Sequence, residues 1–280
     1  MNQRSRKLPA GQTPIGQSAF SPDGRWFAYI LTAETQYRAL LADREARTAA
    51  GTFAWDPDHH GQFRNAVATT LAVVDTATGG QRIVINTDYH FHHVLFVDDQ
   101  TMLINHPKGV AGMWVVDVDG NGVRHLRPET APGAHQATVN HQVVTASGIA
   151  YEAVAYHGDG SHETYLGRYH PASDRFAEAL LPTDGYVHVG FDPAGRFDFV
   201  ENAGREHAIL TVHPGKTAAS LETRLLRRLS SPDHDQQRFH AHPFLAADRK
   251  WLYFTDWSPQ GFAQICSVEV ADLVAMADEG

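Results

Sequence analysis

Short runs of alternating apolar and polar residues recur along the chain, and each run is divided by a polar turn that contains Asp or Gly. An alternation with a period of two is typical of a half-buried strand, and two such runs around a turn predict a β-hairpin. Five segments of this kind align without gaps: AFSPDGRWFAYI (19–30), LFVDDQTMLINH (95–106), VVTASGIAYEAV (143–154), GFDPAGRFDFVE (190–201) and FLAADRKWLYFT (244–255).

A second hairpin pattern follows each aligned segment. These patterns are LAVVDTATGGQRIV (71–84), MWVVDVDGNGVRHL (113–126), TYLGRYHPASDRFA (164–177), AILTVHPGKTAASL (208–221) and QICSVEVADL (264–273). Four strands in each repeated unit are typical of a β-propeller blade. We therefore predict an all-β chain, residues 1–280, that forms a single β-propeller domain with five readable blades. The fifth unit lacks a fourth strand, which the N-terminal segment KLPAGQTP (7–14) could supply.

The first repeat interval is longer than the others because it contains an insertion at about residues 31–68. Within it, ETQYRALLADREARTAA has the composition of a helix, and GTFAWDPDHHGQF has that of an aromatic loop. The insertion is either an excursion on the surface or a lid or wall over the channel mouth of the propeller.

Composition narrows the classes of function. The formal charge of -9 argues against a nucleic-acid binder, and an anionic ligand would need a local cationic site. No apolar run is long enough for a membrane span, and the basic N-terminus lacks the apolar core of a secretory signal. The single cysteine, Cys266, excludes an internal disulfide. We expect a cytoplasmic protein that binds neither nucleic acid nor membrane.

The 18 histidines are numerous for a chain of this length, and four of them share one repeat position. The residue two positions before each aligned segment is Gln17, His93, His141, His188 or His242. Equivalent positions on the inner strands of a propeller lie at similar heights around its channel, so these imidazoles are expected to converge. Histidine is both a common metal ligand and a general base near neutral pH.

The fifth repeat adds further candidate ligands in the stretch DHDQQRFHAHP (233–243). His240 and His242 are two residues apart, so in an extended strand they share a face and can reach one metal ion. Together with His188 and the amide oxygen of Gln237, they suit a divalent cation such as manganese, and also iron, nickel or zinc.

The same stretch carries a family resemblance. QQRFHAHPFLAADRKWLYFTDWSPQGFAQI (236–265) resembles the final-blade motif of oligogalacturonate lyases, Q-x-x-H-x-H-P followed by a strand. YVHVGFDPAGR (186–196) is similar to the segment of that family that carries a further metal histidine. TVNHQVVTASGIAY (138–151) and INHPKGVAGMWVVDVDGNGVRHL (104–126) resemble two more of its histidine segments, with His141 and His106 on the matching positions.

The resemblance implies a seven-bladed propeller that uses manganese to cleave short galacturonides by β-elimination in the cytoplasm. It implies His188, Gln237, His240 and His242 as metal ligands. We expect His141 to act as the catalytic base and His106 as a second catalytic residue, with His93 as a substrate-binding residue.

The chain departs from the family pattern in two ways. It shows five blades instead of seven, and Pro107, Val110 and Gly112 replace a glutamate, a tryptophan and an arginine of the family motif. Lys108 and Arg238 are candidates to bind the substrate carboxylate in place of that arginine.

Two other functions fit the same repeats. Hairpins of the SPDG type also occur in non-catalytic propellers that bind other molecules, and fold alone does not fix function. A metal-dependent enzyme of another kind that acts on a sugar acid would need the same proton abstraction. The convergent histidines favour an enzyme, because a binding platform has no need of them. The expected partner is a small acidic oligosaccharide.

Overall fold

The structure of the protein is a computed structural model. It describes residues 10–52, 67–91, 93–106, 112–127, 137–157, 161–182, 186–192, 198–202, 207–214, 220–230 and 240–271. These residues form five antiparallel sheets and one helix, in two compact units that divide after Pro128.

The first unit contains two four-stranded sheets whose strands are neighbours in chain order. The first sheet is formed by β1 (Gln12–Phe20), β2 (Trp26–Ala33), β3 (Thr69–Asp75) and β4 (Gln81–Thr87). The second is formed by β5 (Val94–Phe96), β6 (Thr101–His106), β7 (Gly112–Asp117) and β8 (Arg124–His125). Helix α1 (Glu34–Ala49) lies in the insertion and has no buried residue. No helix in the described part of the chain is long and apolar enough to cross a membrane.

The second unit contains three sheets with the same order of strands. The third sheet is formed by β9 (Thr138–Thr145), β10 (Gly148–Tyr156), β11 (His162–His170) and β12 (Arg175–Leu180). The fourth is formed by β13 (Tyr186–Phe191), β14 (Asp198–Asn202), β15 (Ala208–Pro214) and β16 (Leu221–Arg228). The fifth is formed by β17 (Phe244–Leu245), β18 (Trp251–Trp257) and β19 (Ala263–Glu269).

The five sheets correspond to the five repeats of the sequence, and the predicted all-β class with four-stranded propeller blades is confirmed. The fifth sheet has three strands among the described residues. The prediction that the N-terminal segment completes it is wrong for Gln12 to Pro14, because these residues belong to β1 and pair with β2. Residues 7–9 lie outside the described residues.

Carboxylates close the turns of the repeated hairpins, as the sequence pattern indicates. Asp23 accepts hydrogen bonds from the Ser21 hydroxyl (2.6 Å) and from the backbone N–H of Arg25 (3.0 Å). These two hydrogen bonds hold the pKa of the exposed Asp23 carboxyl below its usual value. Asp98 accepts from the backbone N–H groups of Gln100 and Thr101 at 2.8 Å each. An acidic residue within each of these turns therefore stabilises the turn that connects the two strands.

Apolar side chains pack the three sheets of the second unit against one another. One cluster joins Ala150 and Leu166 of the third sheet to Val200 and Leu210 of the fourth. Another joins Phe199 of the fourth sheet to the fifth sheet, where its partners are Leu252 and Phe254. Since successive residues of β14 point to opposite faces, the strand is buried on both sides between its neighbours.

Two ion pairs reinforce this packing near the β13–β14 turn. Arg249, which precedes β18, donates to both oxygens of Asp192 at 3.1 and 2.8 Å. Arg168 on β11 donates to Asp198 at 2.5 Å. Asp192 has 0% exposure, and burial raises the pKa of Asp198 while the Arg168 guanidinium opposes that rise. The two pairs therefore link the third, fourth and fifth sheets through charges that are shielded from water.

We predict that Arg249→Met lowers the free energy of unfolding by about 3 kcal/mol, because it leaves the buried Asp192 carboxylate without its charged partner. Urea denaturation followed by circular dichroism measures the change. Arg38→Met on α1 is the control, since the Arg38–Glu34 pair is exposed to solvent and contributes about 0.5 kcal/mol or less. Equal losses in the two variants would contradict a special role for the buried pair.

Candidate metal centre

Three histidines come together in the second unit. His188 lies on β13, and His240 and His242 lie in the segment that leads into β17, where the extended strand expected for this pair does not form. One ring nitrogen from each lies within 4.8 Å of the others. The centroid of the His188 ring is 3.8 Å from that of His242 and 4.4 Å from that of His240. His188 is therefore the centre of the cluster, and it is 8% exposed.

His141 reaches the same cluster from the third sheet. It lies on β9, and its ring centroid is 4.5 Å from that of His188. The structure thus brings together four of the histidines that the repeat pattern and the HxH motif single out, from three successive sheets.

Two buried glutamates support two of these histidines. His188 Nδ1 donates to Glu201 Oε2 at 3.0 Å, and His141 Nδ1 donates to Glu152 Oε2 at 2.7 Å. Glu201 is 0% exposed and Glu152 is 3% exposed. An ionised carboxylate can only accept hydrogen bonds, so Nδ1 of each ring carries a proton, and in the neutral form of the ring Nε2 carries the lone pair.

The surroundings of His240 and His242 favour the neutral form of their rings. Partial burial lowers the pKa of His240 and of His242 below the usual histidine value. The Glu201 carboxylate opposes both shifts, whereas neighbouring imidazoles, His141 among them, add to both. Neutral imidazole is the form that ligates a metal ion, so the lowered pKa values of His240 and His242 favour metal binding.

Two histidines of the cluster have unusual backbone conformations. His141 has a φ angle of 50° and His242 a φ angle of 44°, both in the left-handed region that favours glycine. Non-glycine residues in this region are uncommon, and they concentrate at functional sites, where the surrounding structure holds them.

A close backbone approach brings His242 to β13. A Cβ atom placed on Gly190 would lie 2.2 Å from the backbone oxygen of Pro243, which is far inside van der Waals contact. Gly190 is two residues after His188, and Pro243 follows His242. The absence of a side chain at Gly190 therefore permits the contact between β13, which carries His188, and the segment that carries His242.

Four residues of the site region were missed by the sequence reasoning: Glu152, Glu201, His207 and Gly190. Glu152 follows His141 by 11 residues and Glu201 follows His188 by 13, so a gapless alignment of the repeats does not place the two glutamates at the same position. His207 is buried, and its charge lowers the pKa of His240, which places it in the electrostatic field of the cluster. Allowing for a shorter turn in the third hairpin would have aligned the two glutamates.

The remaining predicted site residues are not part of this described cluster. His93 lies in the first unit, where its backbone N–H donates to Asn105 Oδ1 at 3.0 Å. His106 is the last residue of β6 and pairs with Gly112. Lys108, Gln237 and Arg238 lie outside the described residues.

The residues of the cluster fit a divalent cation. Glu201 Oε1 is buried and has no hydrogen-bond partner among the described residues. A buried carboxylate with an unsatisfied oxygen is costly unless positive charge lies close to it. Three imidazole nitrogens within reach of one point, with this carboxylate behind one of them, match the donor set of a metal site with an outer carboxylate.

Known proteins match this chain in structure but not in sequence. The sequence matches no protein-family model and no curated protein. The structure is similar to an oligogalacturonate lyase from Vibrio parahaemolyticus, with a TM-score of 0.67 and 17% identity over 95% of this chain and 68% of the other. It is also similar to an oligogalacturonate lyase in complex with manganese, with a TM-score of 0.70 and 16% identity over 96% and 68% of the two chains.

Other β-propellers also match the structure. A β-propeller domain from Myceliophteria thermophila has a TM-score of 0.52 and 11% identity, over 95% of this chain and 76% of its own. At these identities the likenesses show the fold alone. The resemblance inferred from the sequence is therefore supported at the level of the β-propeller fold.

We predict that Gly190→Ala lowers the free energy of unfolding by about 1–3 kcal/mol, because the new methyl group forces β13 and the segment at Pro243 apart. Gly80→Ala in the β3–β4 turn is the matched control, since a Cβ there meets only the side chain of Thr78. Chemical denaturation of both variants tests the prediction. A Gly190→Ala protein as stable as the control would contradict the close approach.

Proposed function

We propose that this protein is a metal-dependent lyase that cleaves short uronate saccharides of the oligogalacturonide type by β-elimination. The observation that carries the proposal is the cluster of His188, His240 and His242, with the ring of His141 next to it. The likeness of fold to oligogalacturonate lyases, one of them in complex with manganese, supports the same reaction class.

In this proposal the cluster holds a divalent cation, with manganese as the first candidate. His188, His240 and His242 supply imidazole nitrogens, and Gln237 supplies an amide oxygen from the neighbouring segment. The bound cation would offset the negative charge that develops on the substrate carboxylate during elimination.

His141 is the proposed general base. Elimination at a uronate removes the proton at C5, and the electron pair of that C–H bond becomes the double bond between C4 and C5. The bond from C4 to the glycosidic oxygen breaks, and the leaving oxygen takes up a proton. Because Glu152 holds the proton of His141 on Nδ1, Nε2 is the atom available to accept the C5 proton.

The other predicted residues complete the proposed site. His106 is proposed to protonate the leaving oxygen, and His93, Lys108 and Arg238 to bind the acidic saccharide. A local positive charge is needed to bind the acidic saccharide because the chain as a whole carries a formal charge of -9, and these cationic side chains would add to the charge of the bound cation. We also propose a cytoplasmic location, as the resemblance to oligogalacturonate lyases implies.

We expect the purified protein to bind manganese or another divalent cation at one equivalent per chain, and the double variant His240→Ala/His242→Ala to lose that binding. Two of the three clustered imidazoles are removed in that variant. Elemental analysis after desalting and titration calorimetry with added metal measure the loss. The control is His170→Ala, since His170 lies at the β11–β12 turn. If the wild type binds no divalent cation, a non-catalytic binding propeller replaces the lyase.

We expect His141→Ala to lower the rate of formation of the unsaturated product by about 10²- to 10⁴-fold, as for loss of a general base. The bound metal should be retained. The ultraviolet absorbance of the C4–C5 double bond conjugated with the carboxylate follows the reaction on galacturonate oligomers. Loss of metal in this variant would make His141 a ligand instead. A metal-loaded wild type that converts sugar acids without this absorbance would indicate an isomerase or a hydrolase.

A further inference from the structure

The third and fourth sheets contain the same pair of residues in the same place. In the fourth sheet, His188 on β13 lies opposite Glu201 on β14 in the strand register. In the third sheet, Glu152 on β10 lies opposite Asn140, the residue next to His141, and the register shifts between Ala150 and Glu152. In both pairs the Nδ1 atom of the histidine meets the Oε2 atom of the glutamate.

The equivalence is hidden in the sequence by the turns between the strands. At the β9–β10 turn, Thr145 pairs with Gly148. The β13–β14 turn, between the paired residues Phe191 and Asp198, is longer. Measured along the strands from the equivalent pairs Val143–Ala150 and Gly190–Phe199, the two glutamates lie at the same level, two residues after Ala150 and two after Phe199. At this level the second sheet has Asn105, whose side chain accepts from the backbone N–H of His93. Among the described hairpins, a carboxylate therefore faces the repeat histidine only in the third and fourth sheets.

The two pairs impose one tautomer on two rings. Each glutamate is buried and each accepts the Nδ1 proton, so in the neutral form of both rings the lone pair lies on Nε2. Nε2 of His188 is 3.3 Å from Nδ1 of His240, which places it inside the cluster. The ring of His141 packs against that of His188.

We propose that Glu201 and Glu152 are a duplicated pair of positioning residues with different tasks. Glu201 presents Nε2 of His188 as a metal ligand, and its charge balances that of the cation. Glu152 presents Nε2 of His141 as a proton acceptor and does not take part in holding the metal. The inference rests on the proposed function for the task of His141, while the two tautomers and the asymmetry in metal affinity are independent of it.

The first test compares Glu201→Gln, Glu152→Gln and Glu178→Gln by calorimetric titration with manganese. We expect a 10- to 100-fold loss of affinity for Glu201→Gln, as for other carboxylates that support a metal histidine, and less than a threefold change for Glu152→Gln. Glu178→Gln is the matched control, because Glu178 also accepts a short hydrogen bond from a buried ring group, the Tyr151 hydroxyl at 2.7 Å, in the third sheet. Equal losses for Glu201→Gln and Glu152→Gln would overturn the division of tasks.

The second test measures the imidazole ¹⁵N chemical shifts of the metal-free protein. In the wild type, His141 and His188 should each show a protonated Nδ1 and an unprotonated Nε2. In Glu152→Gln the His141 signals should move toward the other tautomer, because the glutamine amide can donate to Nδ1, while those of His188 stay in place. Protonated Nε2 in either ring of the wild type would overturn the proposal, even if neither glutamate variant folds.

Neither test depends on lyase activity, so the two hypotheses can fail separately. If the tautomers and the loss of affinity are as expected but the protein shows no elimination activity, the role of the positioning pair stands and the proposed reaction is overturned. If the protein is an active lyase but Glu201→Gln leaves its manganese affinity unchanged, the proposed reaction stands and the role of the positioning pair is overturned.

Discussion

The burial of two carboxylates on one short strand is the constraint on which the second unit depends. All five residues of β14 are buried, and they include Asp198 at the start of the strand and Glu201 near its end. Removing a charged group from water costs several kcal/mol, which must be offset by donors placed with good geometry. Arg168 from the third sheet meets this need at one end, and His188 meets part of it at the other. The buried carboxylates of β14 need hydrogen-bond donors, and this need determines which side chains surround the strand.

The same constraint explains how residues from three separate hairpins can form a single site. The apolar clusters bring the third, fourth and fifth sheets together, and the ion pairs at Asp192 and Asp198 fix them near the β13–β14 turn. Further along these strands, carboxylates hold His141 and His188, and the close approach at Gly190 brings in the segment that carries His242. Functional groups supported in this way keep their geometry before any ligand arrives. A metal site therefore needs little reorganisation to form here.

Much of this architecture is readable in the sequence, because it rests on local rules. The alternation of residues and the turn carboxylates such as Asp23 determine the hairpins, and the repeat position of His141, His188 and His242 follows from the hairpins. The supporting residues depend on non-local geometry. Glu152 is displaced from its equivalent by the length of a turn and by a register shift, and no local rule connects Gly190 to Pro243.

The left-handed backbone at His141 and His242 has an evolutionary consequence. Glycine adopts this conformation without steric cost and asparagine tolerates it better than most residues, whereas each strained residue costs about 1–3 kcal/mol. Drift toward greater stability would thus replace both imidazoles with smaller residues. A lineage can retain them only while selection acts on what the imidazoles do. Descendants of this protein that have been released from that selection should be recognisable by glycine or asparagine at these two positions, in an otherwise intact scaffold.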